Sequence, residues 1–257
     1  MTPKKKFTAF QTIFIHELRR VLRLWMQTLL PPAITMALYF VIFGHVIGRR
    51  IGGIAGYSYI QFISPGLIMM SIITSSYASS VSSLYSAKFH RSIEELLVSP
   101  MSSITILMGY MTGGVFRGVL VGTIVSIIAL FFIHLHIHSV IAILMVALLS
   151  SSIFSLAGII NAIYAKKFDD IYIIPTFVLT PLTYLGCVFY SIKLLPTFWY
   201  YLSFANPIVY MVDNFRYGFL GISDSHVIAA YSMMILFVAL LFFVALHLIK
   251  KGVGLRQ

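Results

Sequence analysis

Six apolar segments, each long enough to cross a lipid bilayer, leave this chain few folds to choose from. They run Leu24–Ile47, Tyr57–Ala87, Met101–Ile133, Ser139–Ala165, Ile171–Ile192 and His226–Ile249. About 20 apolar residues traverse roughly 30 Å of hydrocarbon as a helix. The chain is 60% hydrophobic and 10% charged, against about 25% charged in a soluble domain. It cannot clothe a water-facing surface. The expectation is an all-α membrane protein with six transmembrane helices, a single domain over residues 1–257, with nothing left for a soluble one.

The second and third segments exceed a bilayer width, so they must tilt, kink or project. Pro31-Pro32, Pro65, Pro175 and Pro181 mark kinks or helix starts. No signal peptide is expected. The first apolar run is too long for an h-region and lacks a small-residue cleavage site. Cys187 is the single cysteine, so no disulfide framework forms within one chain.

Six crossings bring both ends to one side, and the basic residues say which. Lys4–Lys6, Arg19, Arg20, Arg23, Lys88, Arg91, Lys166, Lys167, Lys250, Lys251 and Arg256 share the side of the termini. Arg49, Arg50, Lys193 and Arg216 take the other. The asymmetry predicts cytoplasmic termini. It also makes the net charge of +11 a topology signal and a contact with anionic lipid rather than with nucleic acid.

Three segments outside the spans stand out. Residues 4–23 are amphipathic, with Phe7, Phe10, Phe14, Leu18 and Val21 at three- and four-residue steps and charges, Glu17 among them, on the other faces. Such a helix lies in the headgroup plane, as an anchor or as a surface for a partner. "KFHRSIEELLVSP", residues 88–100, is a short charged helix between two long apolar ones. Ile93, Leu96 and Leu97 share one face, with Glu94 and Glu95 beside it. Residues 193–221 are aromatic, but Pro196 and Pro207 cut them into pieces too short to cross. Two short re-entrant helices on the outer side are expected there. They serve either as an aromatic belt or in substrate passage.

All seven acidic residues fall outside the six spans, whereas ion-coupled carriers usually keep a carboxylate inside the membrane. A secondary transporter is disfavoured. "FIHEL" lacks the second histidine of a zinc-binding H-E-x-x-H, and "HLHIH" (His134, His136, His138) has no carboxylate or thiolate near it in sequence, so no metal site is expected. There is no G-x-x-x-x-G-K-[ST] with which to bind ATP, and no enzyme motif. Arg117 lies deep in the third span, either snorkelling or functional. Around it Gly109, Gly113, Gly114, Gly118 and Gly122 allow close helix packing. The serines of residues 75–86 could pack a helix or wet a passage.

The order of these parts, with "FISPGLIMM" in the second span, "EELLVSPMS" after it, "FVLTPLTYLGCVFYSIKLLP" in the fifth and "NPIVYMVDNFRYGFLG" beyond, resembles the membrane subunit of bacterial type 2 ABC exporters. The likeness covers nearly the whole chain. It implies a homodimeric permease of the cytoplasmic (inner) membrane with two separate ABC ATPase subunits. This chain then binds no cofactor, and ATP and Mg sit on the partner. It implies that residues 88–100 are a coupling helix, with Ile93, Glu94, Glu95, Leu96 and Leu97 at the ATPase. The resemblance also puts the fifth span at the dimer interface, which makes Tyr184, Phe189, Tyr190, Trp199 and Tyr200 substrate-path residues unless they are core. Aromatic, nearly uncharged walls favour a lipid, glycolipid or hydrophobic drug over an ion, with a polysaccharide still open. A non-transporting assembly factor and a passive channel are the other classes.

Overall fold

The second apolar segment becomes the axis of the molecule. In the computed structural model, which describes residues 3–48, 53–54, 56–224 and 226–255, it is one 31-residue helix, α4 (Tyr59–Phe89). Arg49, Arg50 and Arg256 of the charge count lie outside the described residues. At 1.5 Å per residue α4 is about 46 Å long, longer than the hydrocarbon is thick. It begins with a capping box between Ser58 and Gln61. Most of its circumference is buried, because α6 (Ser103–Leu130) and α7 (Val140–Tyr164) pack along it.

Small residues make that packing close. A Cβ on Gly114 would collide with Ser80 and Ser155, one on Gly118 with Ser76, and one on Gly158 of α7 with the Tyr77 carbonyl. The Ser80 and Ser155 hydroxyls are 2.7 Å apart, and Ser155 also donates to the Met111 carbonyl at 2.9 Å. Ser75, Ser76, Ser79, Ser80 and Ser83 are all buried. Of the two readings of the serine run, the contacts show helix packing.

The first apolar segment is a broken helix: α2 (Trp25–Thr28), α3 (Leu30–Val41) and a wider π-type stretch, Ile42–Ile47. Pro31 and Pro32 explain the break, since neither has an N–H for the carbonyl four residues back. Pro32 thereby orphans the Thr28 carbonyl, and the Arg117 guanidinium donates to it at 3.4 Å. Arg117 thus ties α6 to the break in the first span.

Helix α1 (Pro3–Arg23) forms as expected, but it is wedged between α4 and α6. Ile13 sits against Gly109 and Glu17 against Gly113. Glu17, predicted on the polar face, is 1% exposed. Its carboxylate accepts hydrogen bonds from Ser83 at 2.5 Å and Arg20 at 3.0 Å. Protein rather than water covers that face, so a carboxylate can point inward because two donors meet it there.

Among the described residues five helices are long and apolar enough to cross a membrane: the first segment from Trp25 to Gly44, α4, α6, α7 and α12 (Val227–Lys251). The predicted fifth span is not one long helix. It is α8 (Asp170–Ile174), a π-type stretch Pro175–Leu179 and α9 (Thr180–Tyr184), five residues each. Together these rise about 22 Å, and residues 185–191 leave the helix. Pro175 and Pro181, each removing a backbone donor, account for the irregular turns. Beyond it a 3-10 turn (Ile192–Leu194) leads to α10 (Thr197–Ser203) and α11 (Pro207–Leu220). Pro196 precedes the first of these helices and Pro207 opens the second, where a missing N–H costs nothing.

Candidate functional site

The short charged helix after α4 is α5 (Ser92–Val98). The chain reverses at Arg91, whose φ of 59° is left-handed and uncommon for a residue with a Cβ. Lys88 fixes the point of reversal. Its ammonium donates to the Ile163 and Ala165 carbonyls at 2.9 and 2.6 Å, at the end of α7, where carbonyls lack helical partners. Ser99 closes the other end, with its hydroxyl on the Leu96 carbonyl at 2.6 Å.

Helix α5 turns its apolar face to its own bundle. Ile93 is 1% exposed, and Leu96 and Leu97 are half-buried against the core. Glu94 is half-buried and Glu95 exposed. Outward it shows Glu95 and Val98, the latter 87% exposed, with Phe89 exposed at the end of α4. A partner meeting this surface touches a carboxylate flanked by two bare apolar side chains. The sequence could not assign Ile93, Leu96 and Leu97 inward, because an apolar face looks the same whether its own chain or another covers it.

The five aromatic residues at the far end divide into separate places. Phe189 is central, with ring centroids 5.1 Å from Phe43, 6.2 Å from Tyr39 and 6.0 Å from Tyr184. This cluster joins the first span to the turn after α9, and Tyr184 keeps an exposed side. Sequence reasoning missed Tyr39 and Phe43, although their i,i+4 spacing is a sign of one shared face. Tyr190 and Tyr200 instead cover a small core of Cys187, Ile192 and Val209. Trp199 is exposed beside Phe198.

Beside that core lies a charged cluster that no local sequence pattern announces. Arg216 is almost fully buried in α11, 4.0 Å over the Phe62 ring, and donates to the Cys187 and Phe62 carbonyls. Asp213 is 3.8 Å away. It accepts from the Ser223 hydroxyl and the Asp224 N–H. Asp224 in turn holds Lys193 at 2.7 Å and Ser191 at 2.8 Å. That hydrogen bond and its charge keep the Lys193 ammonium above its ordinary range. At the opposite end, the Lys167 and Lys166 N–H groups hold the Asp170 carboxyl below the usual carboxylate range. His134, His136 and His138 belong to no metal-holding cluster among the described residues.

Comparison with known sequences places this arrangement. The ABC-2 type transporter family matches residues 8–220, more than half of the chain. The chain belongs to that family. It is 52% identical to the inner membrane transport permease YadH of Escherichia coli K12 over 251 residues, 98% of each chain. It is 22% identical to nodulation protein J of Neorhizobium galegae, over 83% of this chain and 82% of that protein. A chain of this ABC-2 family, with helices apolar enough to cross a membrane, is a transport permease of the inner membrane, and so the membrane subunit of an ABC transporter.

Proposed function

We propose that this permease is the membrane half of an ATP-driven exporter, working as a homodimer with two ATPase subunits that bind ATP and Mg. Its cargo is lipid-like, a glycolipid or hydrophobic. Helix α5 is the observation that carries the reading. It is a short helix anchored to its own bundle by Ile93, with Lys88 clamping the end of α7, so a push on it reaches α4 and α7 directly. Lipid-like cargo is supported by the Tyr39–Phe43–Phe189–Tyr184 cluster, which offers apolar rings with two hydroxyls. The alternating-access step is then a two-state shift biased by the ATPases.

Six crossings with cytoplasmic termini, α1 near the interface and re-entrant α10 and α11 complete the reading. They are supported by the course of residues 168–189. Phe168 packs on Tyr85, near one end of α4, at 5.9 Å. The Phe189 carbonyl accepts from Tyr59, at the other end, at 3.1 Å.

The test is Val98→Arg, a change at an exposed position that leaves the bundle alone. The variant is expected in the membrane at normal yield with at least about a tenfold loss of ATPase co-purification, since a charge buried unpaired in an interface is costly. Undiminished co-purification would remove α5 from the ATPase contact.

A further inference from the structure

Helix α1, the end of α4 and helix α5 enclose a cleft of about 920 Å³. Its charged lining is uneven. Arg19, Arg20, Arg23, His16 and His90 face it, against Glu17 and Glu95. Glu17 is already committed, to Arg20 at 3.0 Å and Ser83 at 2.5 Å. That leaves Arg19 and Arg23, both exposed, with two histidines and a single carboxylate to balance them. The Ser86 hydroxyl adds a donor, while Leu22 and Leu96 supply an apolar edge. Arginine forks and hydroxyls suit a phosphate.

The position of the cleft narrows the class. Arg23 is the last residue of α1, and the apolar first span starts at the next residue, with exposed Trp25 at the boundary. Tryptophan prefers headgroup depth. The cleft therefore opens where lipid phosphates lie, with apolar surface on the membrane side.

We propose that this cleft is a binding site for a phosphate-bearing amphiphile, the headgroup of a net-anionic lipid, held by Arg19 and Arg23 with His90. A soluble phosphate ester shares the chemistry but has no use for the apolar edge. Ser92 and Leu96 of α5 form one wall, so occupancy bears on the helix assigned above to coupling. The leaflet and that consequence rest on the proposed function; the anion selectivity does not.

The experiment is native mass spectrometry of the purified full chain in detergent, titrated with phosphatidylglycerol or phosphatidylcholine. The wild type is expected to retain one phosphatidylglycerol in preference to phosphatidylcholine. Arg19→Gln with Arg23→Gln should weaken that retention roughly tenfold or more, two near-surface cations having been removed. Lys4→Gln, Lys5→Gln and Lys6→Gln together, on the same helix but away from the cleft, should leave it unchanged. Arg19→Lys with Arg23→Lys should restore part of it, and an unshifted melting temperature establishes that each variant is folded. Displacement of the lipid by millimolar glycerol phosphate would reassign the cleft to a soluble ester. Equal loss in the lysine and arginine variants, or no preference in the wild type, would overturn the site.

Discussion

Arg216 has almost no exposure, yet its carboxylate partner is 3.8 Å away. Two carbonyls and the Phe62 ring do much of the work that water would otherwise do for the guanidinium. Replacing Arg216 with Met leaves Asp213 buried without its cation. Breaking such a pair costs about 3–5 kcal/mol, so the melting temperature of the purified protein should fall by roughly 10 °C. Pairing Arg216→Met with Asp213→Asn should recover most of the loss, since the uncompensated charge is then gone. If the single change melts like the wild type, neither the pair within α11 nor the hold of Arg216 on Phe62 of α4 contributes to stability. Neither residue announced this from sequence. Each was counted by membrane side alone, because burial of Arg216 depends on Cys187 and Phe62, 29 and 154 residues distant.

At the scale of elements, what was legible followed from local chemistry. The long spans, the proline-marked breaks, α1, α5 and the close approach invited by the glycines all rest on periodicity, caps or the absence of a side chain. Missed features depend on what lies opposite. Glu17 reads as a polar-face residue until Ser83 and Arg20 meet it, and Ile93, Leu96 and Leu97 read as a docking face until α5 folds onto its own bundle. The glycine face can be tested directly. A Cβ on Gly118 would overlap the Ser76 hydroxyl and come within 3.2 Å of the Ile72 carbonyl, and a carbonyl in a helix cannot move aside. Gly118→Leu should therefore cost about 1–3 kcal/mol, the range for overpacking. The result would be a lower melting temperature and a lower yield in detergent. At Gly56 an added Cβ would meet nothing within 4 Å, and an alanine there would be strained only by the φ of 85°, so Gly56→Ala is the milder comparison. Equal effects from the two would mean that α6 is not closely packed at Gly118.

For the whole molecule the open quantity is parity: five crossings separate the termini, six bring them together. At the predicted fifth span only the 15 residues Asp170–Tyr184 are helical, in three pieces of five, which by itself argues for five. The contacts at its ends argue the other way. Tyr85 and Tyr59, which meet Phe168 and Phe189, are separated on α4 by about 39 Å at helical rise. The helical residues supply about 22 Å of that distance, and residues 185–189 carry the chain on through a turn and bends to the Phe189 carbonyl at Tyr59. The segment thus reaches along α4 as far as a bilayer is thick, with its last turns unwound. Unwound backbone at membrane depth is tolerated where protein covers it. Helix α4 supplies that cover at Gly66, where an added Cβ would come within 2.7 Å of the Val188 carbonyl. On the proposed reading, six crossings and the distribution of lysine and arginine predict cytoplasmic termini. A reporter active only outside the cytoplasm, fused after Gln257, should stay silent, and the same reporter inserted after Ser223, between α11 and α12, should be active. Activity at Gln257 together with activity at Ser223 would mean that α12 does not cross. Activity at Gln257 with silence at Ser223 would mean that residues 168–189 turn back, and the count would be five.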